Sequence, residues 1–144
     1  MIPKLIKNEI IDEMGYMDED YAISDNVYLS CEDVRQYQLA KSAVYSAVLA
    51  LMKNENIDFD DISEMYISGG FSSKININNA ANTGLLPREL THKTVSLNNS
   101  SLQGTVKCAC EGGDINRFIN MIKYVDLSRD PYFSELFMEK MTFE

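Results

Sequence analysis

The fold of this chain is decided by residues 65–73, whose sequence is MYISGGFSS. Met65 to Ser68 form a short apolar run, and Gly69 and Gly70 end it. A short apolar run that stops at glycines predicts a buried strand of a parallel sheet. Because glycine has no Cβ, the backbone that follows can turn tightly or approach a ligand closely. A plain tight turn is the commoner role of such a glycine pair.

Residues 31–53, which precede this strand, predict a long amphipathic helix. Ser30 followed by Asp33 resembles a capping box and marks the start of the helix. Arg35 and Lys41 fall on the polar side, where we expect a solvated helix face. A helix followed by a short apolar strand predicts an α/β layer. The predicted buried stripe has i, i+4 spacing and comprises Leu39, Ala40, Ala43, Val44, Ala47, Val48 and Leu51.

The rest of the chain alternates between short predicted helices and strands. The predicted helices are a short one ending by Gly15, residues 76–83 ended by Gly84 and Pro87, a stripe from Leu102 to Ala109, residues 118–122 and residues 132–141. The predicted strands are residues 26–29, 94–97 and 124–127. We predict one α/β domain over residues 1–144, with mostly parallel short strands and flanking helices. The stripe Phe133, Phe137 and Met141 is expected to close the core, with a partner-binding face as the alternative.

The charge balance of the chain excludes several classes of partner. Its 144 residues include 13 Lys and Arg against 22 Asp and Glu, a formal net charge of −9. So acidic a protein is repelled by nucleic acid and by anionic membrane surfaces. No apolar run approaches the ~18 residues that span a bilayer. The start, MIPKLIKNEI, lacks the long apolar segment of a signal peptide, and three cysteines without regular spacing predict free thiols, so we expect a cytoplasmic protein.

The cysteines and the single histidine do not form a recognisable catalytic or metal site. Cys108 and Cys110 fall two residues apart on a predicted helix and therefore point to different faces. We expect Cys110 to be a small core residue. Cys31 at a helix start and His92 in a loop have no evident partner base or nucleophile. The sequence therefore predicts no metal ligands and no catalytic residues in this chain.

Five segments, in order, resemble the C-terminal portion of the reductive activators of corrinoid proteins. The segments are SCEDVRQYQLAKSAV (30–44), YISGGF (66–71), ANTGLLP (81–87), NSSLQG (99–104) and YVDLSRDPYF (124–133). That family consists of iron–sulfur proteins whose large C-terminal domain has the fold of actin, the large heat-shock chaperones and sugar kinases. The resemblance implies a partial actin-like, ribonuclease-H-like ATPase lobe.

The resemblance also implies a function for the full-length family. Its members use ATP to drive electron transfer onto a cobalt(II) corrinoid, and an N-terminal ferredoxin-like domain holds a two-iron two-sulfur cluster. By analogy, Gly69, Gly70, Phe71 and Ser72 are the nucleotide-proximal positions, and Ser100 to Gly104 supports the same lobe. The implied partner is a corrinoid protein of a methyltransferase system.

This chain departs from the family pattern at several places. Ser72 stands where a glycine is usual, and Asn98-Asn99 stands where Gly-Asn is usual. The ferredoxin cysteines and the first ATPase lobe have no counterpart. We therefore expect a chain that does not catalyse alone, holds no cofactor of its own and binds ATP weakly, either as a fragment or as a short relative. The alternatives are a non-catalytic module for corrinoid-protein docking or homodimerisation, and a small metal- or redox-binding protein that uses its cysteines.

Overall fold

The structure, a computed structural model, describes residues 1–70, 72–112 and 115–143. Its helices are α1 (Ile2–Lys7), α2 (Cys31–Glu55), α3 (Ile77–Asn82), α4 (Ser100–Glu111), α5 (Ile115–Ile119) and α6 (Pro131–Glu139). Its strands are β1 (Tyr21–Ser24), β2 (Val27–Leu29), β3 (Met65–Ser68) and β4 (Thr94–Leu97). Two 3-10 helices cover Arg88–Lys93 and Leu127–Arg129. Within these residues, no helix combines the length and the apolar character needed to cross a membrane.

Helix α2 starts at the capping box that the sequence predicts. The Ser30 hydroxyl accepts a hydrogen bond from the Asp33 backbone N–H at 3.1 Å, and the Asp33 carboxylate accepts one from the Ser30 backbone N–H at 2.9 Å. These two bonds satisfy backbone donors that have no partner inside the helix. The Ser30 backbone N–H and then its hydroxyl stabilise the charged carboxylate, so they lower the pKa of Asp33.

The buried face of α2 is not the predicted apolar stripe. Within the stripe, Val44 is 43% exposed and Leu51 is 41% exposed, so the predicted burial of these positions is wrong. Lys41, expected on a solvated face, is only 2% exposed. Helix α6 packs on the more polar side of α2 and buries it. The buried residues of α2 are Val34, Gln38, Lys41, Ser42, Ser46, Ala50 and Met52.

Polar side chains of α2 make the contact with α6 possible. The Lys41 ammonium donates to the backbone carbonyls of Lys140 at 2.6 Å and Thr142 at 2.5 Å, and the Ser42 hydroxyl donates to the Phe137 carbonyl at 2.5 Å. Carbonyls at a helix C-terminus lack intrahelical donors, and the helix dipole favours a cation there. Lys41 thus supplies both hydrogen bonds and positive charge to the end of α6.

The main hydrophobic core joins the two ends of the chain. Phe143 is buried in it, and its backbone N–H donates to the Glu13 carbonyl at 2.8 Å. Met141 is buried as expected, whereas Phe133 and Phe137 are half-buried and stack with ring centroids 6.0 Å apart. The segment that follows α6, rather than the helix itself, therefore contributes to this core. The core cluster consists of Leu5, Ile11, Met17, Leu29, Val34 and Phe143.

The four strands in the described residues form two separate pairs. Strands β1 and β2 are antiparallel, and β1 was not predicted. Strands β3 and β4 are parallel and pair in register from Met65 with Thr94 to Ser68 with Leu97. Helix α3 and the first 3-10 helix lie in the connection between them. The parallel direction of β3 is confirmed, but its predicted burial is wrong because Tyr66 and Ser68 are exposed and Met65 and Ile67 are half-buried.

Helix α3 ends next to Gly84, as the sequence predicts, and a hydrogen bond joins the end of this helix to α2. Gly84 has φ of 72°, and its backbone N–H donates to the Ala81 carbonyl, while the Leu85 N–H donates to the Ala80 carbonyl. These two bonds close the end of α3 in the manner of a Schellman motif. The hydroxyls of Tyr37 and Thr83 hydrogen bond at 2.5 Å. Burial raises the pKa of Tyr37.

Three further predictions of elements need correction. Residues 124–126 are irregular and a 3-10 helix starts at Leu127, so the predicted last strand is wrong. Helix α1 ends at Lys7 rather than near Gly15, and Glu9 beyond it has φ of 57°. The helix predicted at 118–122 is instead α5, which ends at Ile119. In each case a short apolar run fits more than one element, because period alone does not separate them.

Candidate functional site

The candidate site is the turn that follows β3, at the carboxyl end of the parallel pair. Gly69 has φ of 103°, a conformation that favours glycine. Its backbone N–H donates to the Asn98 carbonyl at 3.1 Å, directly after the end of β4. The turn is therefore tied to the neighbouring strand end. Ligands of open α/β sheets bind at the carboxyl ends of parallel strands, and this turn lies at such an edge.

Ser72 is a structural part of this turn. It is 2% exposed, and its hydroxyl donates to the Gly69 carbonyl at 2.8 Å and lies 3.4 Å from the Asn98 carbonyl. The Ser96 hydroxyl in turn donates to the Ser72 carbonyl at 2.8 Å. Ser72 thus holds the two strand ends together from the inside, and its hydroxyl faces protein groups. Apart from the position of Ser72 two residues after Gly70, nothing in the sequence indicates that its side chain positions the glycines.

Gly69 and Gly70 leave space for a ligand beside the backbone. No atom lies within 4 Å of the position that a Cβ would take at either residue, and Gly70 is exposed. A bound group can therefore reach the main chain of the turn without a side chain in the way. The expectation for Phe71 lies outside the described residues.

The amino end of α4 lies next to the turn. Asn99 caps this helix by accepting a hydrogen bond from the Leu102 N–H at 3.2 Å, and the hydroxyls of Ser68 and Ser100 hydrogen bond to each other. The N-terminus of a helix carries a partial positive charge that favours negative groups. The segment from Ser100 therefore supports the same strand-end edge as the glycine turn.

The described side chains in and beside the turn are polar and uncharged. The described residues of the turn and residues 98–101 beside it are glycines, serines and asparagines, so none of them carries a charged side chain. The neighbouring Tyr66 phenol donates to the Glu64 carboxylate. This hydrogen bond and then the charge of Glu64 raise the pKa of Tyr66, so the phenol stays neutral.

The cysteines do not fit an iron–sulfur cluster. Cys31, Cys108 and Cys110 are all free and exposed, so the expected core position of Cys110 is wrong. The Cys31 thiol donates to the Met17 carbonyl at 3.3 Å. Across the described ranges, no group of three or more His, Cys, Asp or Glu side chains is placed to hold a metal ion. His92 is exposed in the first 3-10 helix.

A separate cavity of about 230 Å³ borders α2 and the chain end. Lys41, Arg88, Lys140 and Glu89 are among its lining residues. Sequence reasoning placed Lys41 on a solvated face and missed this position. Lys41 binds two backbone carbonyls at the end of α6 and so serves the packing of that helix. Lys140 forms an ion pair with its neighbour Glu139 at 2.8 Å.

The comparisons with known proteins give a consistent result. A family model described as "C-terminal domain of RACo the ASKHA domain" matches residues 2–144. The curated protein "Corrinoid activation enzyme RamQ" from Eubacterium limosum is 31% identical over 121 residues, which are 82% of this chain and 20% of that protein. The solved structure of a "Reductive activator for corrinoid,iron-sulfur protein" matches with a TM-score of 0.85 and 22% identity.

The structural likeness settles the fold but covers a small part of each relative. The match includes 99% of this chain and 27% of the solved chain. The expected actin-like α/β fold is thereby confirmed. The chain spans about a fifth of the length of the curated relative.

Proposed function

This chain belongs to the family of C-terminal ASKHA domains of the corrinoid activator RACo, and from that premise we propose that it is the C-terminal portion of an ATP-dependent reductive activator of a cobalt corrinoid protein. In this proposal its glycine turn forms one side of a nucleotide site. The partner is the corrinoid protein of a methyltransferase system. The free, exposed cysteines suit a reducing compartment, so we also propose a cytoplasmic location.

The open backbone at Gly69 and Gly70 is the observation that carries the nucleotide proposal. The turn lies at the carboxyl ends of two parallel strands, with the amino end of α4 beside it. The bond from the Gly69 N–H to the Asn98 carbonyl keeps the turn at this edge. Ser72 acts as a positioning residue, because its buried hydroxyl holds the Gly69 carbonyl.

We propose that this chain binds nucleotide weakly and does not catalyse alone. When bound to a complete site, ATP supplies the free energy for electron transfer to the cobalt. The residues of this chain contribute the backbone that contacts the adenosine side and the helix end that favours negative charge. The turn has no charged side chain for the triphosphate among its described residues. A complete site gains several charge-assisted hydrogen bonds, each worth roughly 1.5–3 kcal/mol.

The alternative is a module that docks a corrinoid protein or a second copy without binding nucleotide. Its candidate surfaces are residues 81–93 and α6. Met138 on α6 is exposed although α6 packs on α2, which favours a contact at this helix. The nucleotide proposal and the docking alternative differ in whether residues 69–72 respond to ATP.

Titration of the chain with ATP, followed by backbone amide NMR, tests the proposal. We expect a dissociation constant of roughly 1 mM, equivalent to about −4 kcal/mol, with shifts concentrated at residues 69–73 and 98–101. Gly70→Asp should weaken binding at least fivefold, because it adds a negative charge in open space without disturbing the packing. Asn78→Asp adds the same charge on α3 and serves as the matched control.

The outcomes separate the two functions. Absence of shifts at residues 69–73 with several millimolar ATP removes the nucleotide role. In that case, loss of corrinoid-protein binding in Glu135→Lys, an exposed position on α6, supports the docking module. Micromolar affinity of the chain alone contradicts the incomplete-site argument.

A further inference from the structure

The excess negative charge of this chain is concentrated in one segment. Residues 8–34 contain nine Asp and Glu and no Lys or Arg. The other parts of the chain contain 13 Asp and Glu and all 13 Lys and Arg, so residues 8–34 account for the whole formal net charge of −9. A field of one sign attracts partners of the opposite charge. The nine acidic residues are Glu9, Asp12, Glu13, Asp18, Glu19, Asp20, Asp25, Glu32 and Asp33.

These carboxylates form no ion pair within the described parts of the chain. All nine acidic residues are exposed, and the ion pairs among the described residues include none of them. The Asp12 and Asp33 carboxylates instead accept backbone N–H hydrogen bonds, from Tyr16 and Ser30. Three of the carboxylates are consecutive at residues 18–20, where like charges repel each other. A cation bound from outside the chain relieves that repulsion.

A groove of about 520 Å³ lies beside residues 18–20. Its rim carries the carboxylates of Glu9 and of residues 18–20, and its floor is apolar. Met17 in the floor is buried in the main hydrophobic core, and Ile10 and Tyr21 pack against that core. The groove therefore joins a floor that the fold holds in place to a rim of negative charge.

This lining matches the side chains of lysine and arginine. These residues lay an aliphatic stem on apolar surface and keep the charged head group in a polar setting. Ile10 and Tyr21 offer the apolar surface, and residues 18–20 offer acceptors for charge-assisted hydrogen bonds. Across the ranges that the structure describes, no group of carboxylates is placed to hold a metal ion. An organic cation with an aliphatic stem is therefore the better match.

The apolar surface continues beyond the groove along the β1–β2 hairpin. Ala22 lines the groove, and Tyr28 pairs with it across the hairpin, so the two side chains share one face. Tyr28 is 56% exposed. An exposed aromatic ring is a further partner for a Lys or Arg head group. Several carboxylates and an aromatic ring in one surface suit several basic residues of one chain rather than a single small cation.

We propose that this groove, here called the acidic groove, binds a basic segment of a partner protein. The stems of its Lys or Arg residues lie on Ile10 and Tyr21, and their head groups meet the carboxylates of residues 18–20. Charge complementarity identifies this occupant, because the same carboxylates repel nucleic acid and anionic membrane surfaces. The acidic groove uses no residue of the glycine turn, so the proposal does not depend on ATP binding.

A lysine-rich peptide is the probe for the first experiment. A capped, fluorescent seven-residue peptide in which four lysines alternate with leucine and alanine is titrated into the 144-residue chain, and anisotropy is recorded. We expect a dissociation constant of roughly 100 μM, which rises as the salt concentration rises from about 0.05 to 0.2 M. A peptide with glutamate in place of lysine should not bind. Absence of binding by the lysine peptide at about 1 mM, or equal binding by the glutamate peptide, overturns the proposal.

Two variants with the same net charge separate the acidic groove from general attraction. The first converts the carboxylates of residues 18–20 to amides of the same shape and should weaken peptide binding about tenfold. The second, Asp60→Asn with Glu111→Gln and Glu135→Gln, removes three exposed charges outside residues 8–34 and should change binding by less than about twofold. Equal weakening in the two variants shows attraction to net charge alone and overturns the site. The first variant is Asp18→Asn with Glu19→Gln and Asp20→Asn.

Two changes of the ligand test the stem contact and the kind of occupant. Replacing each lysine of the peptide by 2,4-diaminobutyrate keeps the charge but removes two methylenes from each stem, and should weaken binding about threefold or more. Equal binding of the two peptides contradicts the contact with the apolar floor. Spermine should compete only weakly with the peptide. Tighter binding of spermine than of the peptide, lost in the first variant, overturns the partner protein in favour of a small polycation.

Backbone amide NMR locates the bound peptide. Shifts caused by the lysine peptide should centre on residues 9–10 and 17–22, and they should be absent in the first variant. Shifts confined to other parts of the chain place the peptide outside the acidic groove and overturn the proposal.

Discussion

The α2–α6 region and the β3–β4–α4 region differ in which side chains are buried: polar side chains are buried in the first, and apolar side chains are exposed in the second. In the first, a lysine and two serines are buried between helices. In the second, leucine, valine and tyrosine side chains are exposed on a helix and a sheet. The hydrophobic pattern of the sequence therefore does not predict which side chains are buried in either region, and the reason is the same in both. A side chain is buried only where another element packs on its face. Helix α6 packs on α2, whereas no described element of this chain buries a residue of α4.

The difference teaches what each region needs for stability. The α2–α6 contact is complete within the chain, because carbonyls at the end of α6 meet donors on α2. The β3–β4–α4 region is held together by hydrogen bonds, through the parallel pairing of the strands and the bond from the Ser72 hydroxyl to the Gly69 carbonyl, while its apolar side chains stay exposed. Substitutions should therefore have large effects on the free energy of unfolding in the first region and small effects at the exposed side chains of the second region.

The largest expected effect comes from removing the buried ammonium. Lys41→Met should leave the carbonyls of Lys140 and Thr142 without their donor and lower the free energy of unfolding by about 3 kcal/mol. For a chain of this size, that corresponds to a fall in melting temperature of roughly 10 °C. Calorimetry measures it, with the exposed Lys74→Met as the control. Equal melting temperatures of the two variants would show that Lys41 is not needed for the packing of α6.

A smaller effect distinguishes the two faces of α2. Val34→Ala removes a fully buried side chain from the core cluster and should cost about 2 kcal/mol, because it leaves a cavity. Val44→Ala removes the same atoms from the predicted stripe, which is half open, and should change the free energy by less than about 0.5 kcal/mol. Urea unfolding of both variants makes the comparison. A larger cost at Val44 would restore the face that the sequence pattern predicts.

The smallest effect compares two buried serines one turn apart on α2. Ser42→Ala removes the donor to the Phe137 carbonyl and should cost about 1 kcal/mol. The Ser46 hydroxyl is buried and has no hydrogen-bond partner among the described atoms. Ser46→Ala should therefore be neutral or stabilise the chain by about 0.5 kcal/mol, since alanine also has the higher helix propensity. Unfolding curves that move in the same direction for both variants would contradict this difference.

Several features of the molecule were predictable because their causes are local. The start of α2 follows from Ser30 and Asp33, which are three residues apart and bond to each other's backbone. The end of α3 follows from Gly84, which adopts a conformation that favours glycine. The turn at Gly69 and Gly70 was likewise visible as a strand end. Spacing over a few residues is enough to determine such contacts.

The hydrogen bonds that Ser72 makes in the candidate site were not predictable in the same way. Ser72 looked like one more residue of the glycine turn, and a departure from a family pattern. Its hydroxyl instead binds the Gly69 carbonyl, while the Ser96 hydroxyl on β4 binds the Ser72 carbonyl. That arrangement requires the parallel pairing of two strands that are separated by helix α3 in the chain.

The sequence by itself determined the α/β class, the long capped helix, the parallel strand with its glycine end and the family resemblance. Each of these depends on neighbouring residues or on the order of motifs. Only the tertiary structure decided that Lys41 is buried, that Val44 and Leu51 are open, and that α4 is exposed. The physical reason is that burial is a property of pairs of elements. Lys41 and its acceptor at Lys140 are 99 residues apart, and no local pattern records that they meet.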